Sequence, residues 1–174
     1  ELDPNYGLAY AMLADSHNML HYYGFAESAK EAIESSERAA AKSLAIDETI
    51  AEAHIAMSYV HLRKNRDAKQ AKISLERAIA LSPYNPAARI RYGWQLLREG
   101  KLPEASEQMQ VAQENDPISA VSNSAFCSVL MLRRQNQEAL KFCSKAAELQ
   151  PEMPALKVQL GVAKFLNGFN DEAI

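Results

Sequence analysis

One spacing constrains this chain more than any other feature. Ala71, Ala105, Ala139 and Ala173 stand 34 residues apart, as do Gly93, Cys127 and Gly161, and Pro83, Pro117 and Pro151. Three ladders on one period mean a unit copied along the chain. No segment sustains a two-residue alternation, so no sheet is expected, and the unit reads as two antiparallel helices, A and B, joined by a turn. With Pro117 and Pro151 placed at position 32, the units are 7–50, 51–85, 86–119, 120–153 and a truncated 154–174, forming one array over 1–174. Glu1-Leu2-Asp3-Pro4 resembles the tail of a unit and Asp171-Glu172-Ala173-Ile174 the opening of a helix. The chain is therefore expected to be a fragment of a longer protein.

Small residues give the period its physical reason. Position 8 carries Ala14, Ser58, Gly93, Cys127 and Gly161; position 20 carries Ser36, Ala71, Ala105 and Ala139; position 27 carries Ser43, Ala78, Ala112 and Ala146. Short side chains there let helices approach closely, while the larger residues at position 7 (Leu13, Met57, Tyr92, Phe126, Leu160) fill the space between units. Thr49-Ile50-Ala51-Glu52 and Ser28-Ala29-Lys30-Glu31 read as capping boxes. Asn85 before Pro86 reads as an N-cap, with Pro103 and Pro154 in similar places, and Gly100 and Gly168 as left-handed residues after a helix. The first unit is longer: Ala14 to Ser58 is 44 residues, which predicts an inserted loop over 21–30. Its aromatic cluster, His21-Tyr22-Tyr23-Gly24-Phe25, is expected to fold back onto helix B, the alternative being an exposed contact.

With small residues at 8, 20 and 27 and proline at 32, the chain resembles the tetratricopeptide repeat (TPR) family. The resemblance implies an all-α, right-handed superhelix of stacked antiparallel helix hairpins that acts as a protein-binding scaffold. Position 4, usually tryptophan in that family, is Tyr10, His54, Arg89, Asn123 and Lys157. No unit has the lysine and asparagine at positions 5 and 9 with which co-chaperone members hold a peptide carboxylate. Asp3-Pro4-Asn5-Tyr6, the run Leu8 to Asp15, the long first unit and Arg91-Tyr92-Gly93-Trp94 resemble the TPR tails of bacterial winged-helix regulators. That likeness implies a sensory or assembly arm.

In the family, positions 2, 5, 9 and 12 of helix A line the groove. Here they include Ile55, Tyr59 and Leu62, then Ile90, Trp94 and Leu97, then Ser128 and Met131, with Val121, Val158, Val162 and Phe165 in the last two units. Of these, Ile55, Tyr59, Leu62, Ile90, Trp94, Leu97, Ser128 and Met131, with Arg63 and Arg98 at the helix-A ends, are the expected contacts for a protein or peptide segment. Arg63, Lys64, Arg66, Arg98, Lys101, Arg133 and Arg134 gather near those ends, where cations oppose the helix dipole. Small-ligand sensing is the alternative reading. Single-stranded RNA binding is disfavoured by the net charge of −3, which also argues against anionic membranes.

No catalytic constellation is visible, and no cofactor or metal is expected. His17 and His21 lie four apart, but His17 and His61 share a packing position and nothing completes a ligand set. The six glycines form no phosphate loop. Cys127 and Cys143 should face one another across a hairpin and are expected as buried thiols, in keeping with a cytoplasmic setting. With helix A of unit 5 short of its partner, self-association through that end is a further expectation.

Overall fold

The computed structural model describes residues 6–22 and 24–169, and within them every regular element is helical. The helices are α1 (Gly7–Tyr22), α2 (Ala29–Ile46), α3 (Ala51–Arg63), α4 (Ala68–Leu81), α5 (Pro86–Arg98), α6 (Leu102–Asn115), α7 (Ala120–Leu132), α8 (Asn136–Leu149) and α9 (Pro154–Leu166). The all-α expectation is met. The expectations resting on Glu1–Pro4, Asn5, Tyr23, Asp171, Glu172, Ala173 and Ile174 fall outside the described residues. Two compact units divide the chain at Arg91 and Tyr92, inside α5.

Local chemistry sets the helix ends. Ser28 caps α2 by accepting from the Glu31 amide, and Asn85 caps α5 by accepting from the Ala88 amide at 3.1 Å. The capping box at Thr49 does not form. Its hydroxyl donates to Asp47 Oδ1 at 2.6 Å, tying it to the preceding turn, and Ile50 occupies the cap without a side-chain bond. Four hairpin turns repeat one conformation five residues before the position-20 residue: Arg66, Gly100, Arg134 and Gly168 have φ of 52°, 75°, 60° and 86°. Glycine takes that left-handed backbone without strain, whereas the two arginines carry a Cβ into it.

Small residues do what the period requires. Ala14, Ser36, Ser43, Ser58, Ala71 and Ala78 are all buried in the 1–91 unit. Met57 packs on a cluster of Ala14, Ala39, Ala40 and Ala56. Ile55 joins Ala51, Ala78 and Ala88 in a second cluster. The expected loop over 21–30 is corrected: α1 runs to Tyr22 and α2 begins at Ala29. At 16 and 18 residues these helices exceed α3 and α4, at 13 and 14, so much of the extra length is helical. Of the aromatic cluster, Tyr22 and Phe25 do not fold back onto helix B, being 60% and 77% exposed, while His21 reaches Tyr59 of α3.

In the 92–174 unit Ala105, Ala112, Ala139 and Ala146 are fully buried. A Cβ on Gly93 would lie 2.9 Å from Met109 Cγ and 3.3 Å from the Ala105 carbonyl, so this position needs glycine for closeness. Cys127 and Cys143 hold the equivalent pair of places in the next hairpin. The expectation of free thiols is corrected: the two form a disulfide, with Cα atoms 5.5 Å apart. The small residues at this crossing bring the backbones within bonding reach, which axis-to-axis helix spacing alone does not reveal. Beside it, Phe126 and Phe142 meet edge to face with ring centroids 4.8 Å apart.

Candidate protein-binding faces

Each unit presents a helix-A face, and the two differ in chemistry. In the 1–91 unit the face is largely occupied by its own side chains. Ile55, Ile90 and Tyr59, three of the expected contacts, are buried, with 4%, 7% and 9% exposure, and so offer little free surface; Leu62 is half-buried. Ile55 faces the α4 cluster, and Tyr59 is roofed by polar groups. His21 Nδ1 lies 2.7 Å from Tyr59 Oη, and Arg63 and Arg91 hold their guanidinium carbons 5.4 and 6.0 Å from the Tyr59 ring centroid. Arg91 Nη2 donates to Asp15 Oδ1 at 2.6 Å, linking α5 to α1. Burial pushes the Tyr59 phenol above its ordinary value of 10, against the opposing pull of Arg63 and Arg91. Arg63 stays exposed, and no described carboxylate pairs with it.

On the 92–174 unit the face is apolar and uncovered. Val121, Val158, Val162 and Phe165 are 53%, 68%, 46% and 63% exposed, and Trp94 is 38% exposed. Leu97 on α5 and Met131 on α7 are half-buried. Ser128 is held inside a closed polar network. Gln159 Nε2 donates to Ser128 Oγ at 2.7 Å and to the Ser124 carbonyl at 2.9 Å, while Ser124 Oγ donates to Gln159 Oε1 at 2.7 Å. Arg98 is exposed, and its Nη2 donates to Gln95 Oε1 at 2.6 Å.

Sequence reasoning passed over position 6, where Arg91 and Gln159 reach across to residues of an earlier helix A. The signal was present, since both are long polar side chains where the second and fourth units carry alanine, at Ala56 and Ala125, and the first carries Met12. The basic ridge is also partly spoken for: Lys64 pairs with Glu37, Lys101 Nζ lies 2.8 Å from Glu99, and Arg133 Nη1 donates to Ser106 Oγ at 2.8 Å. Among the described residues no group of three or more His, Cys, Asp or Glu side chains could hold a metal ion, and no described helix is long and apolar enough to cross a membrane.

A tetratricopeptide repeat family model matches residues 62–122. No curated protein matches the chain. Among solved structures, Pseudomonas aeruginosa PilF superposes with a TM-score of 0.70 at 18% identity, covering 95% of this chain and 73% of that one. A thermophilic TPR protein of Thermus thermophilus gives 0.68 at 16% identity, covering 92% and 86%. YrrB, described as a TPR protein with an unusual peptide-binding site, gives 0.61 at 20% identity, covering 93% and 79%. Identities this low carry the fold and no more. Together, these comparisons make residues 62–122 similar to the tetratricopeptide repeat family and the chain as a whole similar in fold to solved TPR proteins.

Proposed function

We propose that this chain is a protein-interaction module whose helix-A faces take a segment of a partner protein. The uncovered apolar strip of Val121, Val158, Val162 and Phe165 carries the reading, because side chains this exposed gain by burial against a partner. TPR folds typically serve as non-enzymatic scaffolds for protein association, and a peptide-binding site is named for YrrB, whose fold this chain shares. Trp94 extends the apolar contacts, while Arg63 beside the Tyr59 ring offers a polar one on the other unit. The helices are already ordered, so only the partner segment loses freedom on binding.

The finer reading is a sensory or assembly arm of a bacterial transcription regulator, with DNA contacts made elsewhere; it rests on the sequence likeness around Leu8–Asp15 and Arg91–Trp94. Such an arm works in the cytoplasm. The Cys127–Cys143 disulfide weighs against that location, because reducing cytosols keep thiols apart.

Val158→Asp with Phe165→Asp tests the binding face. Both positions are exposed, so the melting temperature should hold while partner recovered from source-cell lysate falls at least tenfold. Undiminished recovery by the double variant would remove this face from the account.

A further inference from the structure

We propose that a second site, in the cleft between α1 and α2, takes an acidic segment of a partner protein that sets an apolar side chain between carboxylates. The cleft has a volume of about 290 Å³. Its apolar part is Tyr10, Leu13 and Ala39; its polar part is His17, Ser35, Arg38 and Lys42, with no carboxylate among them.

The two cations are held in place by neutral groups. Lys42 Nζ sits 4.2 Å from the Tyr10 ring centroid, and Arg38 Nη2 donates to Ser35 Oγ at 2.9 Å. Neither is paired with a described carboxylate, although Glu34 lies one turn before Arg38 and faces Lys30 instead. Elsewhere Lys64, Arg91 and Lys101 each have a carboxylate partner. Positioned but unneutralised charges beside an apolar surface favour a ligand that brings both carboxylates and a hydrophobic group.

The place in the repeat adds a second argument. Tyr10, Leu13 and His17 occupy positions 4, 7 and 11 of helix A. In α3 the position-7 residue, Met57, packs onto an alanine cluster of α1 and α2, and in α7 Phe126 is 5% exposed. Leu13 is 38% exposed. Position 7 is thus more covered in α3 and α7 than in α1, where it is exposed and its surroundings are basic. The chemistry selects an acidic amphipathic segment over a purely apolar one.

The test uses fluorescein-labelled, end-blocked Glu-Leu-Glu-Glu-Leu-Glu and its Gln-Leu-Gln-Gln-Leu-Gln counterpart, titrated with the whole chain and read by anisotropy. The acidic peptide should bind at least tenfold more tightly than the glutamine one. Arg38→Glu with Lys42→Glu, both exposed, should weaken it at least tenfold, and Lys141→Glu with Lys157→Glu, the same charge change elsewhere, less than twofold. Circular dichroism of both double variants should match the parent chain. The site is overturned if the two peptides bind alike, if both charge-reversed pairs lose affinity equally, or if the acidic peptide does not bind. Full displacement by millimolar inorganic phosphate would make it a simple anion site. A concentration-dependent dimer abolished only by the Arg38/Lys42 pair would assign the cleft to a second copy of this chain; either result also overturns the proposal.

Discussion

Ser36 and Ser43 are fully buried at places where later units carry alanine, and neither hydroxyl finds a hydrogen-bond partner. An orphaned buried hydroxyl keeps its desolvation cost. Ser43→Ala should therefore raise stability by about 1 kcal/mol, seen as a higher urea midpoint with an unchanged slope. The opposite change is costly: Ala105→Leu puts three extra carbons against a fully buried crossing and should lose about 1–3 kcal/mol. The left-handed turns make a matched pair of tests. Arg134→Gly relieves a Cβ at φ 60° and should gain about 1 kcal/mol, while Gly100→Ala at φ 75° should lose a similar amount. Thermal unfolding of the two variants side by side checks both signs.

Between α7 and α8 a covalent bond does what shape alone does in the preceding hairpin. Met109 fills the hollow left by Gly93, whereas Cys127 and Cys143 bridge the corresponding gap. The bond closes a loop of 16 residues, for which a chain-entropy model gives about 3 kcal/mol. Reductant should lower the melting temperature of the parent chain and leave a Cys127→Gly, Cys143→Met variant, which borrows the neighbouring hairpin's pair, where it was. The α1–α2 hairpin differs in another way. Its longer first helix carries His21 to the Tyr59 hydroxyl.

Across the molecule, helix number, direction and contact positions were readable because small residues must recur wherever backbones cross, and recurrence is visible in a linear string. The binding faces were only half readable. Positions 5 and 9 did fall on one side, but whether Tyr59 or Ile90 stands clear depends on burial and on reach from other helices, as with Arg91 and His21 over Tyr59, which no local pattern encodes. Bond formation between Cys127 and Cys143 was likewise a matter of a few ångströms. Titration offers a check on the buried phenol. Its folded value is raised, so the stability it contributes is complete below about pH 10 and is lost as pH rises through that value. Tyr59→Phe should flatten the alkaline limb of the stability profile measured in urea. Asp47 works the other way: bonds from Thr49 lower its carboxyl below its ordinary 3.8, so its share is present above that pH and vanishes in stronger acid. The lengthened first hairpin carries an implication for lineage and for engineering. A helix turns a full circle in about 3.6 residues, so insertions near that size preserve which side chains look inward, while a two-residue change would rotate everything beyond it by about 200°. The three and four residues by which α1 and α2 exceed α3 and α4 are each close to one such circle, so the longer hairpin presents its added side chains in step with the faces below them.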